Sequence, residues 1–278
     1  MGISTHSDPR LKISGMTKCM ARERIKIGVT DSGFGGLSVL SELSNTIPEA
    51  DYIYYGDLLN APYGNKPPEQ VYGFLDEISQ FFLGRGVSAI VVACNTATSV
   101  AINKLRKKYS VPIFGMEPAI KPAALENPDQ TIAVLATPLT LKEEKFMSLG
   151  KSLEKHATLK PIPCDGLATI IDTGEIEKAR EYLLPIFKNL EEEKIDIVVL
   201  GCTHYVLVKS LFYDWNKNVK LYDGNKGTAN HVRRTIIPLP IEGESKLDLF
   251  LNGGREEDFE IAYNYLNNQN TNERNYVK

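Results

Sequence analysis

The chain has 278 residues, 42 % hydrophobic and 24 % charged, with a formal net charge of −3 at pH 7. That balance fits a globular protein with a sizeable core and argues against the clustered basic face of a nucleic-acid binder. No run approaches the roughly 18 consecutive apolar residues that a membrane span requires.

Residues 1–24, MGISTHSDPRLKISGMTKCMARER, lack the apolar core of a signal peptide and read as a polar extension, with Met16 or Met20 as alternative starts. Ile25 to Val29 is the first expected strand. DSGFGG follows as a loop, and LSVLSELSNTI as a helix with Leu37, Leu40 and Leu43 along one side. DYIYYGD (51–57) is the second strand. After LLNAPYGNKPP, whose prolines suit a helix start, Val71, Leu75, Ile78 and Phe82 mark a helix that stops near Gly84 and Gly86. VSAIVVA (87–93) is apolar without alternation, as in a strand buried on both faces. The next helix carries Ala97, Val100, Ala101 and Leu105 on one stripe.

Further strands are expected at 111–115, 131–136, 159–163, 195–201 and 219–223, with helices around 140–157 and 174–194, the latter bent at Pro185. Phe259, Ala262, Tyr263 and Leu266 form the stripe of a last helix, ahead of a frayed polar tail, NNQNTNERNYVK. Such alternation implies parallel sheets covered by helices, with ligands at the carboxyl ends of the strands.

Two of the four cysteines stand at such ends. IVVACNTATS places Cys94 after an aliphatic strand and before a helix of small residues, and IVVLGCTHY repeats the arrangement at Cys202. Cys19 and Cys164 complete the set, and no pair has the C-x-x-C spacing of a zinc or redox site. A chain of this length folds without disulfides, so reduced thiols in a cytoplasm are expected. Two similar α/β units facing each other, each delivering one thiol, would flank a cleft. That geometry suits removal of a proton from one face of a carbon and its return on the other. The plain alternative for each cysteine is a small hydrophobe packed in a core.

VTDSGFGGLSVL, YYGDLLNAPYGNK, VVACNTATS and LGCTHYVLV, in this order, closely resemble the glutamate racemases of the cofactor-independent aspartate/glutamate racemase superfamily. The cysteine motifs alone support the superfamily; D-S-G-x-G-G and P-Y-G narrow the match to the glutamate branch. The resemblance covers residues 25 to about 235. It implies a first domain at 25–117 plus 231–278 and a second at 118–230.

By this resemblance Cys94 and Cys202 are the opposed acid and base at the glutamate α-carbon, with no cofactor and no metal. Only a thiolate is a useful base, yet the reaction needs one thiolate and one thiol at a time, so moderate, coupled perturbation is expected. Asp31 assists at Cys94 and His204 at Cys202, and both belong to the substrate site. The other readings are a helix cap or turn for Asp31 and a partly buried histidine for His204. Asn95, Thr96 and Thr203 are expected to hold the amino and carboxylate groups. Ser32 contributes a hydroxyl, Tyr63 and Gly64 the opposite wall, and Thr137 and Thr140 a second lining loop. GFGG lacks the full G-x-G-x-x-G pattern and reads as a tight turn that lets backbone approach the ligand.

Three positions depart from the pattern: Leu58-Leu59-Asn60 in place of Thr-Ala-Arg, Val206 in place of proline, and Asp172 where a glutamate often supports the histidine with longer reach. The resemblance also implies D-glutamate supply for peptidoglycan, a homodimer, and a peptidoglycan-precursor nucleotide as activator through residues 1–24. The alternatives are an aspartate or broad-specificity racemase, and a non-racemising thiol redox or ligand-sensing protein.

Overall fold

The computed structural model describes residues 24–236 and 245–275. The expected N-terminal extension, Arg24 excepted, lies outside the described residues. Among those described, nine strands form two sheets in which every pairing is parallel. The first sheet has the order β4-β3-β1-β2-β9, from β1 (Lys26–Asp31), β2 (Asp51–Gly56), β3 (Ala89–Val92), β4 (Ile113–Gly115) and β9 (Leu247–Leu251). The second has the order β6-β5-β7-β8, from β5 (Thr131–Ala136), β6 (Thr158–Pro163), β7 (Ile197–Leu200) and β8 (Lys220–Tyr222). The expected class, two helix-flanked parallel α/β units, is what the chain adopts.

The central strands are apolar because helices cover both faces: every residue of β3 and of β7 is buried. On the first sheet, α1 (Gly36–Thr46) buries Leu37, Leu40 and Leu43, and α2 (Pro68–Leu83), with Pro68 in its first turn, buries Val71, Leu75, Ile78 and Phe82. In α3 (Asn95–Lys108), Ala97, Ala101 and Leu105 are buried while Val100 is half-buried.

Several expectations shift. The single helix at 140–157 is two, α5 (Pro138–Lys142) and α6 (Glu144–Leu153), because Glu143 takes an extended conformation. Gly174, at φ +73°, separates α7 (Leu167–Asp172) from α8 (Ile176–Glu192); glycine alone adopts that backbone without strain. In α12 (Glu256–Asn275) the inward stripe runs through Ala262 and Tyr265, whereas Tyr263 is exposed. The helix also continues to Asn275, since nothing between 267 and 275 is glycine or proline. Strand β9 and helices α4 (Ile120–Glu126), α9 (Thr203–Leu207), α10 (Lys209–Trp215) and α11 (Asn225–Ile236) were not legible from periodicity.

The chain completes its first sheet last. After the second sheet, α11 packs against α1, β9 joins the free edge of β2, and α12 packs on α1. Tyr265 in α12 donates to the Ile171 carbonyl at 2.6 Å, and Ile261 lies against Gly174, so the C-terminal helix also supports the turn that ends α7. No helix among the described residues is long and apolar enough to cross a membrane.

Candidate active site

The carboxyl ends of β1, β3, β5, β6 and β7 meet around a cavity of about 70 Å³. Ser32, Pro62, Tyr63, Gly64, Cys94 and Thr96 line it from the first sheet's side. Thr137, Cys164, Asp165, Thr169, Cys202 and His204 line it from the second. Both strand-end thiols therefore reach one cavity, one from each sheet.

Cys94 caps α3, and its sulfur accepts from the Ala97 N–H at 3.4 Å. Ser32 Oγ lies 3.9 Å from the same sulfur. Burial, reinforced by the nearby Asp31 carboxylate, pushes the Cys94 thiol up to about 12, so the resting group is the neutral thiol. The Asp31 carboxylate is itself fully buried and raised by that burial. It accepts from the Gly33 N–H at 3.0 Å and from Thr203 Oγ1, across the cleft, at 3.0 Å. Asp31 thus sits beneath the cavity and acts on Cys94 through its charge, while its hydrogen bonds hold Thr203.

The second thiol has a different neighbourhood. Cys202 Sγ lies 3.7 Å from His204 Nδ1, and His204 Nε2 lies 2.9 Å from Asp172 Oδ1. Burial alone would strip His204 of its proton. The charge and hydrogen bond of Asp172, together with Cys202, outweigh burial and raise its affinity well above that of an ordinary histidine. An imidazolium there presents Nδ1–H to the Cys202 sulfur. The shorter reach expected of Asp172 does not materialise: α7 brings it within hydrogen-bond distance of His204. The same Oδ1 accepts from the Phe34 N–H at 2.9 Å, which also ties the two units together.

The glycine-rich loop makes this approach sterically feasible. A Cβ on Gly33 would come within 2.5 Å of Asp172 Oδ2, and one on Gly35 within 2.5 Å of His204 Nδ1 and 2.7 Å of its backbone nitrogen. The loop, expected as a turn that lets backbone approach the ligand, also admits the facing helices. Tyr54 donates to the Gly33 carbonyl at 2.7 Å and Ser38 to that of Gly35 at 2.8 Å, fixing its path.

Thr96, Thr137 and Thr140 form a hydroxyl cluster across the cleft, with oxygens 2.9 to 3.4 Å apart. Asn95 faces a neighbouring cavity of about 50 Å³, and its Oδ1 is buried without a hydrogen-bond partner. Among the described residues lining the thiol cavity none is Lys or Arg, so an anionic ligand would be held by hydroxyls, His204 and backbone N–H groups at the start of α3. Among the described residues no group of three or more His, Cys, Asp or Glu is placed to hold a metal ion. Cys164, Asp165 and Thr169 escaped the sequence reading; the one available signal was a third thiol at the end of an apolar stretch, LKPIPC.

The Asp/Glu/hydantoin racemase family matches residues 37–232, and the chain belongs to it: the protein is an isomerase. Its similarity is to the glutamate racemases of that family. Glutamate racemase of Leptospira interrogans is 46 % identical over 251 residues, covering 88 % of this chain and 98 % of that one. Escherichia coli glutamate racemase, solved in complex with L-glutamate and the activator UDP-MurNAc-Ala, superposes with a TM-score of 0.76 at 25 % identity, covering 89 % of this chain and 96 % of that one. The Thermus thermophilus enzyme, solved in complex with β-chloro-D-alanine, gives 0.69 at 31 % identity, covering 86 % and 92 %.

Proposed function

We propose that the protein interconverts L- and D-glutamate by two-base proton transfer at Cα. The observation that carries this is the pair of thiols, Cys94 and Cys202, lining one cavity from two sheets in unlike electrostatic surroundings. His204 stands beside Cys202 as a proton-carrying partner, while burial and Asp31 keep Cys94 protonated as the acid. In one direction the Cys202 thiolate takes the α-proton, and the Cys94 thiol delivers its own proton to the other face. That leaves Cys202 as thiol and Cys94 as thiolate, the starting state of the reverse direction.

As the α-proton leaves, negative charge spreads onto the α-carboxylate. Thr96, Thr137 and Thr140 hydroxyls and the Asn95 and Thr96 N–H groups are suited to hold that charge. Ser32 serves the amino end, backed by the Asp31–Thr203 pair beneath the cavity, and Tyr63 and Gly64 form the outer wall. The same reading assigns domains at 25–117 plus 231–278 and at 118–230, a cytoplasmic homodimer, and D-glutamate supply for peptidoglycan. An activator of the UDP-MurNAc-Ala kind extends the same reading to regulation.

Incubation with L-glutamate in D₂O tests the function. Deuterium at Cα should accumulate together with loss of optical rotation, and Cys94→Ala and Cys202→Ala should each abolish turnover in both directions. Normal racemisation in both variants would refute the mechanism.

A further inference from the structure

The carboxylate of Asp57, at the end of β2, is almost wholly buried, yet it contributes nothing to the lining of the thiol cavity. It gathers hydrogen bonds from three side chains. Tyr63 Oη donates to Oδ2 at 2.6 Å, and Asn252 Nδ2 to Oδ1 at 2.6 Å. Asn60 Nδ2 lies 3.0 and 3.1 Å from the two oxygens. All three donors are neutral. Buried charge survives without an ion partner only when such donors saturate it.

The backbone at this node is equally constrained. The Asp57 N–H donates to the Asp31 carbonyl at 3.0 Å, placing Asp57 beside the strand end that carries the loop under Cys94. The Asn252 N–H donates to the Gly56 carbonyl at 2.8 Å, and Leu59 N–H to the Asn252 carbonyl at 2.9 Å. Tyr63 is buried, and its ring stacks on Phe74 at 5.9 Å between centroids. Its one hydroxyl proton is committed to Asp57 and is therefore not available to donate to a ligand.

We propose that Asp57 is a positioning residue for substrate binding: through Tyr63 it sets the wall formed by Tyr63 and Gly64, with Asn60 and Asn252 as its co-donors. Asn60, one of the departures from the family pattern, thereby acquires a role as a neutral ligand of this carboxylate. Asn252 extends the wall's support to the C-terminal segment. The inference rests on the racemase reading for its kinetic consequences, and on hydrogen bonding alone for its structural ones.

Two variants test it, Asp57→Asn and Tyr63→Phe. The first removes the charge and confronts the three donors with an amide; the second removes one donor and leaves the carboxylate in place. Each should raise KM for glutamate about tenfold with kcat within about threefold, the pattern of lost uniform binding. The double variant should be no worse than the poorer single one, because both break one linkage. In ligand-free protein, amide hydrogen exchange across residues 61–66 should quicken in both. Unchanged KM in folded Tyr63→Phe, or single effects that multiply in the double, would overturn the proposal. So would unaltered exchange, which decides the matter without turnover; absence of racemisation by the unmodified protein would instead sink the racemase reading.

Discussion

Replacing Asp172 with asparagine keeps the side chain's outline and removes its charge. In the folded protein that charge meets His204 Nε2 at 2.9 Å, in a setting where the histidine is almost wholly buried. A hydrogen bond between charged partners contributes about 1.5–3 kcal/mol, which corresponds to roughly a 10- to 150-fold loss of rate if the contact is expressed in the transition state. The asparagine oxygen can still accept from Phe34 N–H or His204, so the glycine loop should stay in place and the loss should be electrostatic. Enantiomers have equal free energies, so the equilibrium constant is one and kcat/KM must fall by the same factor in both directions, whichever thiol is impaired. The separate kcat and KM values are free to differ by direction.

The pH dependence carries a sign. His204's folded affinity for its proton is raised by Asp172 against burial. Asp172→Asn lets burial prevail, so the imidazolium is lost at lower pH and activity should suffer more near pH 9 than near pH 6. The linked stability runs the same way. The contribution of the pair is fully present below about pH 6.5, the unfolded value, and fades as pH climbs through the raised folded value. Circular dichroism of both enantiomers as substrates, across about pH 6–9, measures these quantities. A fall in kcat/KM below threefold, or a loss that is flat across this range, would refute the reasoning.

Four further outcomes are expected. Gly35→Ala meets no backbone strain at φ −53° but drives its methyl into His204 and Thr203; it should destabilise by about 1–3 kcal/mol and abolish turnover. Gly73→Ala, in α2 with open space around it, should gain about 0.5–1 kcal/mol; equal melting temperatures for the two would contradict the close-approach account. In ligand-free protein, alkylation of Cys94 by iodoacetamide, followed by peptide mapping, should rise about tenfold per pH unit between about pH 7 and 10, because the thiol sits up at about 12; a plateau below pH 9 speaks against burial and Asp31 as the cause. Asp31→Asn should eliminate racemisation yet raise the melting temperature at neutral pH. The folded carboxyl holds its proton more tightly than the unfolded one, so its burial favours folding below the unfolded value and opposes it as pH rises through the folded value. An unchanged or lower melting temperature at pH 7 would show that its hydrogen bonds outweigh burial.

The site's two thiols were legible because each follows an uninterrupted aliphatic run, a pattern that strands buried on both faces impose. The edge strand β9 was not: LDLFL borders solvent at its start, and its pairing with β2 joins residues nearly two hundred positions apart. The break at Glu143 left no mark either, since glutamate suits a helix and only tertiary placement holds it extended. Asp172 was noticed as a departure, but side-chain length was the wrong measure; the approach of α7 and the bareness of Gly33 determine its reach. Asp57 stood out only as the last residue of an expected strand: Asn60 and Tyr63 are near it in sequence, but their spacing matches no helical or strand period, and Asn252 lies 195 positions away.

The late arrival of β9 has a consequence for how the protein comes off the ribosome. Until residues 247–252 emerge, the outer edge of β2 has no hydrogen-bonding neighbour and Asp57 lacks the amide of Asn252. The thiols are synthesised long before the wall beside them acquires its last support, so that support waits for residues 247–252 rather than being complete when Cys202 is added.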